Sequence, residues 1–256
     1  MIVFPNAKIN IGLRVVEKRK DGFHNIESIL YPVFDLFDVL EVIESKTLSF
    51  TSSGIKIPGN STSNLCIQAF QLLKADFNIP FVTIHLHKVI PIGAGLGGGS
   101  SDAAFMLKAL NELFLLNLTV DQLLNYARKL GSDCAFFINN ETAFAFKTGD
   151  ELETIDLDLK PYQLIIEYPD VHIGTKDAYS GIVPSSSKNC LKDIISQPIE
   201  DWINLVKNDF ENSVFPLHPS IKKLKNKMYA DGAIFASMTG SGSAVFGFFP
   251  PIISVF

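Results

Sequence analysis

Five of the chain's 17 glycines fall within seven positions, 93 to 99. The run reads Pro91-Ile92-Gly93-Ala94-Gly95-Leu96-Gly97-Gly98-Gly99-Ser100-Ser101, between a strand-like stretch and an apolar helix-like one. Glycines let the backbone take positive φ and come close to a ligand. The free N–H groups and dipole at the start of the next helix favour negative charge, and the serines add hydroxyl donors without bulk. The chemistry on offer is a grip on phosphate. A plain surface turn needs one or two glycines rather than five. Two familiar phosphate loops are excluded. The triphosphatase loop G-x-x-x-x-G-K-[ST] requires a lysine that does not follow these glycines. Positions 93–98 do satisfy G-x-G-x-x-G. A dinucleotide fold, however, needs a strand ending in an acid about 20 residues later, and the region near 118 leads into another helix.

Candidates for proton transfer are fewer. Asp133 follows Gly131-Ser132 at the start of a short predicted helix, where an Asp serves either as a general base or only as a helix-end residue. Lys8 is flanked by Ala7, Ile9 and Ile11 rather than by charges, which sets it apart from a solvent-facing lysine on an edge strand. Asp102 falls in the first turn after the glycines, placed either to favour the helix dipole or to hold Mg2+ through water. His24 follows the reversal Asp21-Gly22 and on its own is a hairpin residue. His85, His87, His172 and His218 have no metal-ligand spacing. The three cysteines, Cys66, Cys134 and Cys190, are odd in number and far apart, which excludes a disulfide framework and a cysteine zinc motif. No metal site built by the protein is expected.

These residues need elements to position them. Residues 8–17 alternate apolar with polar or small side chains, Asp21-Gly22 reverses the chain, and 27–33 run back. Further strands are predicted at 39–44, 48–51 and 82–89. The spacing of Leu65, Ala69, Leu72 and Leu73 predicts a helix over 64–77, and a second helix covers 103–114. Thr119 and Gln122 make a capping box for a third, whose apolar face is Val120, Leu123, Leu124, Ala127 and Leu130 and which Gly131 ends. Strands follow at 142–148 and 162–168, a polar surface loop at 185–189, and helices at 199–207 and 219–229. The chain then predicts a strand at 234–237, the small-residue turn Thr239-Gly240-Ser241-Gly242-Ser243, and a strand at 244–249. Strand clusters followed by helix clusters indicate an α+β protein of two lobes, 1–150 and 151–256.

Composition narrows the classes. The 256 residues are 47% hydrophobic and 19% charged, a globular balance rather than a disordered one. With 22 Lys+Arg against 27 Asp+Glu the net charge is −5, and neither a basic patch nor a basic tail offers a nucleic-acid or anionic-membrane surface. No apolar run reaches the length of a membrane span. The start, MIVFPNAKIN, lacks a basic segment followed by an apolar core, so a cytoplasmic protein is expected.

Pro91-x-x-x-Gly95-Leu96-Gly97-x-x-Ser100-Ser101 resembles the ATP loop of the GHMP kinases, a family that includes galactokinase, homoserine kinase and mevalonate kinase. Pro5-Asn6-Ala7-Lys8-Ile9-Asn10, followed by Asp21-Gly22-Phe23-His24, is similar to the N-terminal signature of one branch. Thr239-Gly240-Ser241-Gly242-Ser243 resembles the family's third motif, a second glycine-rich turn near the phosphates. The three segments span nearly the whole chain in the expected order. The resemblance implies an α+β, two-lobed GHMP kinase fold: a ribosomal-protein-S5-like N-terminal lobe, an α/β sandwich C-terminal lobe, and a cleft between them. It implies ATP as co-substrate with Mg2+, and a small-molecule alcohol as acceptor, which in that branch is a cytidine diphosphate-linked methylerythritol. Residues 91–101 would bind ATP, Asp133 would be the base, and Lys8 would sit beside it. Phe23 and Tyr179 would sandwich the cytosine while His24 reads its edge, with Phe23 standing where the family commonly has Tyr. Asn10 would bind a substrate hydroxyl or phosphate. A monomer or homodimer is implied. Two alternatives stay open: another small-molecule kinase of the family, of the mevalonate or homoserine type, and a non-catalytic nucleotide-binding regulator.

Overall fold

The computed structural model describes residues 1–169, 171, 173–184 and 190–251, so the loop predicted at 185–189 and His172 lie outside the described residues. The first stretch is strand-rich: β1 (Ile2–Val3), β2 (Asn6–Lys18), β3 (His24–Phe37), β4 (Val39–Ser45) and β5 (Ser49–Gly54). Helix α1 (Leu65–Asp76), strand β6 (Phe81–Lys88), and helices α2 (Gly98–Leu113), α3 (Val120–Leu130) and α4 (Phe136–Asn139) follow. The remainder runs β7 (Ala143–Phe146), β8 (Glu151–Thr154), β9 (Gln163–Glu167), α5 (Thr175–Tyr179), α6 (Leu191–Ile195), α7 (Trp202–Leu205), α8 (Glu211–Leu217), α9 (Pro219–Ala230), β10 (Phe235–Met238) and β11 (Val245–Phe249).

Local chemistry explains most of these limits. Asn64 caps α1 by accepting the Cys66 N–H at 2.9 Å. The Thr119–Gln122 capping box is present at the start of α3, and Gly131 closes that helix. Helix α2 begins at Gly98, five residues before the predicted start. A Cβ at Gly98 would come within 2.8 Å of the Lys88 ammonium and 2.9 Å of Ile90. Close packing thus asks for glycine there, and tertiary contact overrides its poor helix propensity. The short elements β8, α5, α6 and α8 were not anticipated, and the helix predicted over 199–207 is a 3-10 turn (Ile199–Asp201) leading into α7.

The chain forms two compact units that no single cut in the sequence separates. The first comprises Met1–Lys8, Pro32–Ile92 and Gly97–Glu141. Its sheet has the order β1-β4-β6-β5, with β5 parallel to β6. Val82, Ile84 and Leu86 face inward from β6, and α2 is buried along Ala103, Ala104, Met106, Leu107 and Leu110. Around α2 pack α1, α3 and α4.

The second unit comprises Ile9–Tyr31, Gly93–Leu96 and residues from Thr142 onward. Its sheet β10-β11-β9 is antiparallel. Its core joins Leu13 and Val15 of β2 to Phe210, Ile221, Met228, Ala236 and Val245. The early strand is therefore core to the late part of the chain. Strands β2-β3-β7-β8 make the third sheet. Among the described residues no helix is long and apolar enough to cross a membrane.

Candidate active site

The glycine run divides between the units, with Gly93–Leu96 in the second and Gly97 onward in the first. In the first unit Gly97 has φ of 72° and caps α2, so the N–H groups of the helix's first turn follow directly from a left-handed residue. A Cβ on Gly97 would lie 3.0 Å from Lys8 Cε, Lys8 Cγ and Phe137 Cζ. The lysine stem therefore runs beneath the loop. Gly93 and Gly99 are exposed and Ser100 is half-buried, so donors at both ends of the run reach the surface.

Beneath this loop lies a buried ion cluster that the sequence pattern did not single out as a site. Lys88, at the end of β6, pairs with Asp38 and with Asp102, the latter at 2.8 Å. The other oxygen of Asp38 accepts the N–H groups of Val89 at 2.6 Å and Ile90 at 2.8 Å. One carboxylate thus fixes the chain just before Pro91, while the ammonium ties it to the first turn of α2. Asp102 is buried, with Oδ1 out of contact with any hydrogen-bond partner, which is poor geometry for holding Mg2+ through water. Burial and the neighbouring Asp38 charge push the Asp102 carboxyl up to about 7 against the pull of Lys88. Burial lowers the Lys88 ammonium, but the two acids outweigh it and the net shift is upward.

This arrangement makes stability depend on pH. Between the ordinary carboxyl range and about 7, the folded chain keeps a proton on Asp102 that the unfolded chain releases, so raising the pH through that window costs stability. The slope from this group is at most about 1.4 kcal/mol per pH unit. Asp102→Asn, neutral throughout, is expected to flatten the decline in urea-denaturation midpoint between pH 5 and pH 8, roughly the window set by that shift. An unchanged slope in the variant would assign the decline to other groups.

Lys8 and Asp133 meet. Their Nζ–Oδ2 distance is 3.1 Å, with the Lys8 side chain 4% exposed and that of Asp133 39% exposed. The lysine is held in the interior while the carboxylate opens to the surface. Asp133 lies in a 3-10 turn (Ser132–Cys134) that runs through Ala135 into α4. The adjacent Cys134 is buried, and burial pushes its thiol to about 11 against a hydrogen bond with Ser100, which makes it an inert neighbour rather than a nucleophile.

In the second unit Gly95 and the third-motif turn are in backbone contact. Gly95 has φ of 80°, and a Cβ there would overlap the Thr239 carbonyl. Thr239 Oγ1 donates to the Gly95 carbonyl at 3.1 Å, and the Ala244 N–H donates to the Ala94 carbonyl at 3.0 Å. Asn208, also unflagged by the sequence, donates to the carbonyls of Met238 at 2.7 Å and Gly240 at 2.9 Å. Asn10 was expected on substrate. Its N–H donates to Thr239 Oγ1 at 2.9 Å and its Nδ2 to Ser28 Oγ at 2.9 Å, so it joins β2 to the third motif.

His24 and Tyr179 stack, with ring centroids 4.7 Å apart and an interplanar angle of 20°. The sandwich expected of Phe23 and Tyr179 around a base differs from this arrangement, because the imidazole itself covers one face of Tyr179. Mutual burial of two flat rings favours that contact. Phe210 meets Tyr179 edge-on at 4.7 Å, and Phe23 is 67% exposed.

Comparison with known proteins places this geometry. The sequence profile of the GHMP kinases N terminal domain matches residues 64–141, and that of the GHMP kinases C terminal region matches 190–251. The chain belongs to the GHMP kinases. Among its kin in that family is the 4-diphosphocytidyl-2-C-methyl-D-erythritol kinase of Bacteroides thetaiotaomicron, 51% identical over 255 residues, which are 98% of this chain and 93% of the relative. A crystal structure of a 4-(cytidine 5'-diphospho)-2C-methyl-D-erythritol kinase superposes with a TM-score of 0.82 at 32% identity, covering 96% of this chain and 89% of the other. The mevalonate kinase of Methanococcus jannaschii shares the fold at a TM-score of 0.68 and 17% identity, with 97% and 90% of the two chains covered. The α+β GHMP kinase fold expected from the three motifs is the fold found.

Proposed function

We propose that this GHMP kinase transfers the γ-phosphoryl group of ATP to the 2-hydroxyl of 4-diphosphocytidyl-2-C-methyl-D-erythritol, in the non-mevalonate route to isoprenoid precursors. The supporting observation is the Lys8–Asp133 pair, 3.1 Å apart with Gly97 packed on the lysine stem, in a chain half-identical to kinases of that name. Phosphoryl transfer asks the protein mainly for alignment and charge stabilisation. In this reading Asp133 accepts the acceptor's hydroxyl proton as that oxygen bonds to the γ-phosphorus. The bond to the β–γ bridging oxygen breaks, and ADP leaves. Lys8 pairs with Asp133, orients the hydroxyl and offsets charge on the moving group. Residues 91–101 form the loop that holds the triphosphate, through backbone N–H groups and the half-buried Ser100 hydroxyl, while the Ser101 side chain is buried behind it.

Mg2+ bound with ATP would supply charge neutralisation, with the phosphate oxygens as its main ligands. No group of three or more His, Cys, Asp or Glu among the described residues is placed to cage an ion. Most of the ATP-binding lobe comes from residues 1–150, although 9–31, 93–96 and 142–150 belong to the second compact unit with 151–256, in a cytoplasmic monomer or homodimer acting on small molecules. A base stacked on the exposed Phe23, with His24 at its edge, gives the specificity for cytidine.

A substrate panel tests the proposal. ADP release is expected with the cytidylyl substrate and not with mevalonate, homoserine or the uncapped polyol. Turnover of mevalonate or homoserine alone would reject the substrate and keep the fold. In the same assay Phe23→Ala is expected to raise the KM for the cytidylyl substrate about five- to 150-fold, the equivalent of roughly 1–3 kcal/mol of base stacking, with the KM for ATP unchanged.

A further inference from the structure

Lys8 and Asp133 come from distant parts of the sequence, and a 3.1 Å contact between a strand and a short helical turn needs something to hold the two backbones in register. The first unit contains a second bridge between the same two elements. Asn6 shares a face of β2 with Lys8, because side chains two apart on a strand point the same way. Asn140 closes α4, the helix that continues from Asp133. Their carboxamides exchange two hydrogen bonds: Asn140 Nδ2 donates to Asn6 Oδ1 at 2.7 Å, and Asn6 Nδ2 donates to Asn140 Oδ1 at 3.2 Å. Asn6 is buried, and its Nδ2 also donates to the Ala7 carbonyl at 2.9 Å, so its amide orientation is fixed.

The conformation of Asn140 separates two roles for its side chain. Its φ of 57° and ψ of 41° are left-handed, and its N–H donates to the Phe136 carbonyl to end the helix. Glycine would serve that turn with less strain. The carboxamide is the part the turn does not need, and it is spent on Asn6. From α2, Lys108 steadies the same helix separately, donating to the Phe137 carbonyl at 3.0 Å.

We infer that Asn6 and Asn140 are positioning residues, a neutral second rung that sets the Lys8–Asp133 geometry for phosphoryl transfer. The inference rests on the assignment of Lys8 and Asp133 to the reaction. Displacement of a reacting group by about 1 Å can cost on the order of a hundredfold in rate, so loss of the rung acts on kcat.

The test uses the full-length chain. Asn140→Gly keeps the left-handed turn and removes the carboxamide, while Asn6→Ala removes the other partner. Each is expected to lower kcat about ten- to a hundredfold, with both KM values within about twofold and the melting temperature of Asn140→Gly nearly unchanged. The double variant is expected to be no slower than the slower single variant, since either change breaks the same pair. On a Lys8→Met background, Asn140→Gly is expected to cost nothing further. Full activity in both single variants would overturn the inference, as would an equal loss from Asn140→Gly with and without Lys8. A wild-type rate in Lys8→Met alone would instead overturn the assignment of the reacting pair.

Discussion

Asp133→Asn is expected to lower kcat by about two to four orders of magnitude, the range of a lost general base, with the KM for ATP essentially unchanged. The amide keeps the size of the carboxylate and its place in the 3-10 turn, but it cannot take the hydroxyl proton. Stability should move less than turnover, because the Asp133 side chain is 39% exposed at the rim, although the Lys8 ammonium, 4% exposed, loses an anionic partner. Lys8→Met keeps the apolar stem under Gly97 and deletes the cation, so it is expected to cost a comparable factor. The two losses together should fall well short of their product, as for groups that act as one unit. Single-turnover ADP formation at saturating ATP measures each factor. Wild-type-like turnover in Asp133→Asn would move the base elsewhere.

Lys88→Met is expected to destabilise the fold by about 3–5 kcal/mol, because it leaves two acidic groups buried without their shared cation. Asp38 and Asp102 are both at or near zero exposure, so water cannot replace the lost ammonium. Neutralising the acids should recover much of the loss. The triple variant Lys88→Met/Asp38→Asn/Asp102→Asn is expected to have a urea midpoint well above that of Lys88→Met. A single variant no less stable than the natural chain would show that the cluster is not a stabilising contact at all. These losses should appear in equilibrium unfolding, whereas those at Lys8 and Asp133 appear in turnover.

The Lys8–Asp133 pair was legible because of what surrounds it. Lys8 sits between Ala7, Ile9 and Ile11, all with no exposed surface, so an inward charge on that strand had to find a partner. The glycine run was legible because no ordinary turn requires five. Lys88 carried a similar signal that composition concealed. It falls in the same inward register as Val82, Ile84 and Leu86, yet at the end of a strand it reads as a solvent-facing terminus. Its partners Asp38 and Asp102 are 50 and 14 positions away, and no local pattern links them. The amide pairing of Asn6 with Asn140 spans 134 positions and was illegible for the same reason. The stacking of His24 on Tyr179 was missed because sequence names the aromatic rings but not which face each will cover. Short helices such as α5 and α6, five residues each, carry too few turns for an apolar period to emerge.

The second unit cannot be completed until β10 and β11 have been made. Asn10 donates to Thr239 across 229 positions, and Leu13 and Val15 belong to the same core as Met228 and Val245. A nascent chain on the ribosome must therefore carry residues 9–31 without their final neighbours until the last strands emerge. Closing so long a loop is slow, and it leaves an apolar strand exposed in the meantime. Moving the chain's ends by circular permutation, so that β2 is translated beside β10 and β11, would shorten that wait.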